Sequence, residues 1–401
     1  MTTTPPRARA LRVSRAFVAA GIAALAIATM LLASCGGGVG TGGTGSFGSA
    51  PVSGFGSIFV GGIEFDDSKA TVFDDDGVAL AAGDTQVRLG MIGEVEGGAV
   101  AQGSSGLTAV ASSVHLSRLV VGPVAAIDLV GRTLTVLGQT LQINGSTVFD
   151  AAMTTGLAAL RIGDAVSVHA LADAAGRPVA TRIEPATPGE AWRLRGYVSG
   201  MNSQTKRFTI GAVTLNYSTA AGVPTDLADQ QFVHVKLAGV GAGGVLQVGG
   251  FLPASAAPTD AAKVLAEGVV AALAPGAALR FGALAVDIRN AAVVPAPAAL
   301  VAGAQAQIEG HLQGGVLVAD KVTVLTAQAA DRRSYQLAGT VGSLNAVAQT
   351  FVVRNVRVDY SAAHFANGSA AALATPNVSV HVQGSLSADG TRLQAQTVSF
   401  P

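Results

Sequence analysis

Cysteine occurs once in 401 residues, at Cys35, so no disulfide can close within the chain, even in an oxidising compartment. Aromatic residues are 5% of the chain, with one Trp and four Tyr. That is too few for the two aromatic girdles of an outer-membrane β-barrel. Charge is sparse at 12%, with 25 basic and 25 acidic residues. A nucleic-acid partner would require a basic excess interleaved with stacking rings, and neither is there. No Gly-x-Ser-x-Gly elbow, His-Glu-x-x-His pair or phosphate-binding Lys motif occurs, and the Ser, His and Asp residues are too scattered to suggest a triad. The expectation is a protein without a catalytic set, a cofactor or a metal.

What is present begins with a leader. Arg7, Arg9, Arg12 and Arg15 precede an apolar stretch from Ala16 to Ala33, with no acidic residue before Cys35. This charge order is that of a secretory signal, and the stretch is also about long enough to span a bilayer as a helix. Its ending, Leu32-Ala33-Ser34-Cys35, resembles the lipobox of bacterial lipoproteins. The resemblance implies cleavage of a signal peptide over 1–34, lipid (palmitate-type) attachment at Cys35, and tethering to a membrane. Gly36 takes the place of the aspartate linked to inner-membrane retention, so the outer membrane is the expected address. Removing the four leader arginines leaves 21 basic side chains against 25 acidic ones, a nearly neutral mature chain.

A glycine-rich tether over 35–50 follows, expected to act as a coil spanning on the order of 20 Å. Beyond it a strand-opening glycine recurs at Gly54, Gly122, Gly196, Gly268 and Gly339, at intervals of 68, 74, 72 and 71 residues. Each unit then repeats a hairpin, as in Leu134-Thr-Val-Leu-Gly-Gln-Thr-Leu-Gln-Ile143, with alternation that buries one face. An Ala-rich, short helical connection follows, and two more strands close the unit, as in Val378–Val382 and Leu393–Val398. Strand, hairpin, connection, hairpin is the order of an OB-like barrel. The expected architecture is therefore all-β, a tandem array of about five small OB-like barrels over 51–118, 119–186, 192–257, 262–327 and 334–400. An immunoglobulin-like sandwich would want seven strands where about 70 residues supply five.

The tether, the segment Ser53-Gly-Phe-Gly-Ser-Ile-Phe-Val-Gly-Gly-Ile-Glu-Phe65, and the recurring Gly-x-x-Val-x-Val-x-Gly with Leu-x-Ala-x-x-Val resemble bacterial lipoproteins of the domain-of-unknown-function 5666 family. These motifs are structural, so the resemblance implies no catalytic position. Unit three, with Gly249-Gly250, and unit four, rich in Ala and Pro, depart from the pattern and read as spacers.

The candidate sites are few. Gly239-Val-Gly-Ala-Gly-Gly244 has dinucleotide-loop spacing but no helix after it, so it reads as a hairpin loop. Asp66, Asp67, Asp74, Asp75 and Asp76 could hold calcium, but Asp75-Asp76-Gly77 also reads as a tight turn on a solvated face. His169, His234 and His381 occupy the same late strand of three units and are expected to be partly exposed and apart. Two functions remain: an envelope binding or scaffold module contacting a polysaccharide, a small ligand or a protein, and a hydrolase acting on envelope polymers or a calcium-binding protein with its site in unit one. For the first, the expected contact loops are Asp173–Arg177, Val240–Gly244 and Ser385–Gly390, carried on a modular arm that projects from Cys35.

Overall fold

The computed structural model describes residues 1–2, 45–81, 87–103, 106–173, 177–271, 279–296 and 300–401. Residues 3–44, which hold nearly all of the expected signal peptide, Cys35 and the expected tether as far as residue 44, lie outside the described residues. No helix among the described residues is long and apolar enough to cross a membrane.

Unit two shows how the alternating sequence closes on itself. Val120–Asp128 pairs antiparallel with Thr133–Val136, which turns through Leu137-Gly138 into Gln139–Gln142. The third strand runs parallel to the fifth, Val179–Pro185, at Gln142 and Val179. The fifth pairs antiparallel with the fourth, Ala165–Leu171, which returns to the first. The spatial order is thus first, second, third, fifth, fourth and back to the first, a closed barrel with no free edge. Unit three repeats this circuit through Arg193–Asn202, Arg207–Ile210, Val213–Asn216, Leu246–Leu252 and Phe232–Val240. Units one, four and five follow the same order, with the first strand of units one and five interrupted. The fold is all-β and OB-like. In units two and five the connection is a single 3-10 turn, Gly156–Ala159 and Ala370–Ala374.

The recurring glycine has one steric cause. In each barrel a hairpin side chain lies over it, so that a Cβ would sit 2.6 Å from Leu137 at Gly122, 2.3 Å from Ile210 at Gly196 and 2.8 Å from Phe281 at Gly268. At Gly339 the covering residue is Val353, 3.1 Å from such a Cβ, and at Gly54 Phe59 at 2.8 Å is joined by the closer Gln336 carbonyl oxygen of unit five at 2.6 Å. The repeat glycine therefore marks where the barrel wall is one side chain thick.

Two expectations are corrected here. Residues 46–50, read as tether, form the strand Ser46–Pro51, because it pairs antiparallel with Ile92–Gly97 and parallel with Ala261–Val269. Phe47 within it is fully buried, packed in the apolar cluster of unit four. The units also do not form a projecting arm, since residues 43–401 make one compact body. Gly54–Phe55 of unit one pairs parallel with Tyr335–Thr340 of unit five. The first strands of units two and three pair through Val120–Leu194 and Val121–Arg193. Side chains of units one and five form one apolar cluster, and those of units two and three another.

Candidate functional site

Where unit one meets units two and three, the structure gathers charged groups that are far apart in sequence. Asp75 lies at the turn after the Thr71–Phe73 strand, with its side chain 1% exposed. Its Oδ1 accepts from Arg195 Nη2 at 2.6 Å and from the Arg118 backbone N–H at 3.3 Å. Its Oδ2 lies 3.5 Å from His234 Nε2 and 3.6 Å from Arg118 Nε. Burial by itself would raise the Asp75 carboxyl, but Arg195, then His234 and Arg118, hold it far below the usual carboxylate range. Asp76 pairs with Arg193 at 2.5 Å and with Lys236 at 3.5 Å. Glu190 joins Arg193 and Arg118 at 2.5 and 2.8 Å.

Strand alternation explains the placement. Arg193 and Arg195 share one face of the first strand of unit three, where they oppose Lys236 and His234 in the antiparallel register. That face is turned toward the Asp75-Asp76 turn. Unit three, expected as a spacer, supplies four cationic or titratable partners to unit one.

A second set continues the first across the joint between units one and two. His169 Nδ1 is 2.7 Å from the Ser117 carbonyl oxygen and 3.2 Å from the Ile92 backbone N–H; the shorter contact is to an oxygen that can only accept, and this favours the proton on Nδ1. Its ring is 1% exposed, and burial drives its pKa down to about 4, against the pull of Glu184. Arg182 donates Nε to Glu184 at 2.7 Å, Nη2 to Asp150 at 2.8 Å and Nη1 to the Leu89 carbonyl at 3.3 Å. Burial would raise Glu184, but Arg182 leads the groups that hold it low. Arg88 of unit one meets Asp150 at 3.0 Å. A cleft of about 450 Å³ opens along this seam, with Arg118, Asp150, His169, Glu184 and Glu190 on its walls.

The expected sites sort as follows. Asp75 and Asp76 are drawn out of the solvated face by guanidinium partners, which correct the reading of a plain surface turn. Their oxygens face cations already, the wrong setting for a calcium ion. Asp74 Oδ1 takes the backbone N–H groups of Asp76 and Val78, closing the turn, and Asp66 takes that of Ser68. Among the described residues no three His, Cys, Asp or Glu side chains converge as metal ligands. His169 and His234 are buried, not partly exposed, because each late strand faces another unit there. His381 is exposed.

Of the expected contact loops, Val240 is 57% exposed and leads into an exposed loop. Residues 174–176 of Asp173–Arg177 lie outside the described residues. Ser385–Gly390 is an internal joint. The Gly390 carbonyl accepts from Phe149 N–H at 3.0 Å, and at φ +70° a Cβ on Gly390 would lie 2.3 Å from the Thr147 carbonyl. The partners of Asp75 and His169 were not legible in the sequence. The one available signal was arginine at alternate positions, Arg193 and Arg195, in a strand otherwise built of apolar and small residues.

Further polar joints secure the rest of the body. Glu94 accepts from Ser255 Oγ and the Ala256 N–H, and Tyr197 donates to the Gly282 carbonyl at 3.2 Å. Glu267 of unit four pairs with Arg333 of the segment leading to unit five, and Tyr335 donates to the Ser146 carbonyl at 2.8 Å.

Comparison with known proteins gives a limited set of similarities. No curated protein matches the chain. Among solved structures, the chain described as "drosophila Unr CSD456" is similar at 12% identity and a TM-score of 0.14, over 53% of this chain and 98% of that one. The model of the family described as "Domain of unknown function (DUF5666)" matches residues 121–184 and 338–399, which are units two and five.

Proposed function

We propose that the protein is a lipid-anchored, non-catalytic module of the bacterial cell envelope that presents a rigid multi-barrel surface to an envelope polysaccharide or protein. The observation that carries the binding or scaffold reading is the fate of the buried charges. Asp75 and Glu267 are each spent on an arginine from outside their own unit, and Glu184 on Arg182 of its own strand with Arg88 of unit one 4.0 Å away. Groups held in this way orient barrels and keep their charge; a general acid needs a proton to give near neutral pH.

The anchor half of the reading is supported by Leu32-Ala33-Ser34-Cys35 and the positive leader before it. Outer-membrane sorting follows from Gly36, by analogy with lipoproteins. Metabolic labelling of cells with an alkyne palmitate tests the anchor: label should enter the wild-type chain, fractionate with the outer membrane, and vanish in Cys35→Ser. A Cys35→Ser chain that still takes label, or a wild-type chain that takes none, defeats it. In-cell photo-crosslinking from exposed Val240 tests the binding half, with recovery of a discrete adduct as the expected result.

A further inference from the structure

The cleft between units one and two contains a buried acceptor that no protein group meets. His169 Nε2 has no hydrogen-bond partner among the described residues, although its side chain is 1% exposed. With the Nδ1 proton given to Ser117, Nε2 offers a lone pair. Glu184 Oε1 stands 4.0 Å from it. Two acceptors at that separation call for a group between or beside them that brings hydrogens of its own.

The rest of the wall narrows the chemistry. Asp75, Asp150, Glu184 and Glu190 are each already matched by a guanidinium, and Asp74 by two backbone N–H groups. The lining holds five carboxylates and two guanidinium groups, Arg88 and Arg118, and the remaining arginine partners stand behind the wall, so an incoming cation would meet carboxylates that are already paired. The cleft also carries carbon surface from Met91, Leu116 and Pro185. Its volume, about 450 Å³, lies in the range of roughly 300–1,000 Å³ usual for small-molecule sites.

We propose that this cleft binds a neutral saccharide, with a ring hydroxyl donating to His169 Nε2 and a C–H face laid against Met91, Leu116 and Pro185. The inference rests on the reading of the protein as a binding module and deepens it by naming the ligand class. A hydroxyl supplies the donor that His169 lacks and, as an acceptor in turn, can take a hydrogen from the guanidinium groups on the same wall. An ammonium ligand would supply donors too, but the carboxylates on the wall are already paired and give it no free counter-charge.

The test is a glycan array carrying neutral hexose and N-acetylhexosamine oligomers beside uronate and sialylated ones, probed with the full chain. The expected result is signal on neutral spots alone, reduced about tenfold by His169→Phe, as loss of one buried hydrogen bond implies. Because His169→Phe also removes the bond to Ser117 and can impair folding, Thr187→Trp serves as a second variant. Thr187 is exposed and lines the cleft, so a large ring there blocks entry without disturbing a core. Binding to no neutral glycan, binding to charged glycans only, or neutral binding unchanged in Thr187→Trp overturns the proposal. The crosslinking from Val240 reads the module itself: a protein adduct with a blank array removes the saccharide and leaves the module, whereas failure of both removes both.

Discussion

Unit one is joined to unit three and to unit four by different physics. Toward unit three the contact is made by side-chain charges: Asp75 and Asp76 on one side, Arg193, Arg195, His234 and Lys236 on the other. Toward unit four it is a continued sheet, with Ser46, Phe47, Gly48 and Ser49 in parallel register with Lys263 to Ala266, and Phe47 set into the neighbouring core. A charged joint is directional and tolerates few alternatives, because a slipped carboxylate would be buried without a partner. A strand joint gains from apolar burial and main-chain bonds, which depend little on residue identity outside Phe47. Orientation is thus specified where charges meet, and cohesion where strands merge.

The largest effect is expected from the charged joint. Asp75→Asn leaves Arg195 and Arg118 facing a neutral group in a buried site and should cost about 4–5 kcal/mol in urea unfolding; a loss below 1 kcal/mol would place the joint's stability elsewhere. Phe47→Ala empties a buried site at the strand joint and should cost about 3–4 kcal/mol by the same measurement. If Phe47→Ala proves silent, the strand Ser46–Pro51 is only loosely attached and the contrast collapses.

Acid tests the charged joints of unit one, including the one with unit two at His169, without mutation. His169 has a folded pKa of about 4 against an ordinary 6.5, so between those values the unfolded chain holds a proton that the folded chain does not. Stability from this group is complete above pH 6.5 and declines as pH falls to 4, by about 3 kcal/mol in all. Glu184 and Glu267, held below their ordinary 4.5, and Asp75, held below 3.8, add their losses at still lower pH. Thermal melts from pH 7 to 4 should show this decline in the wild type and a flatter curve in His169→Gln; parallel curves would refute the assignment. The smallest effect belongs to Arg289→Ala. Arg289 is exposed in its pair with the half-buried Asp287, and solvent screening should leave the melting temperature nearly unchanged.

The barrels were legible because their information is local. Alternation over Leu134–Ile143 or Phe208–Leu215 reports which face is buried, and the hairpins appear at those positions. The repeat glycines were found by spacing, although their cause, a facing side chain such as Ile210 over Gly196, is visible only in three dimensions. The strand Ser46–Pro51 was hidden because glycine and serine around one phenylalanine look like linker until two neighbouring strands lend them hydrogen bonds. Asp75 was misread for the same kind of reason. Asp-Asp-Gly is turn chemistry in any window of the sequence, and nothing local says that Arg195, 120 residues away, will close on it. Sequence patterns report what a unit does to itself; they are nearly silent on what units do to each other.

The Ser46–Pro51 strand also fixes how the body would respond to mechanical load. A pull applied to the chain at Ser46 meets a residue held between Gly97 and Lys263. The pull is shared at once by unit one and unit four, and no single barrel can be peeled away first. A load applied there passes into two barrels together and not into one module.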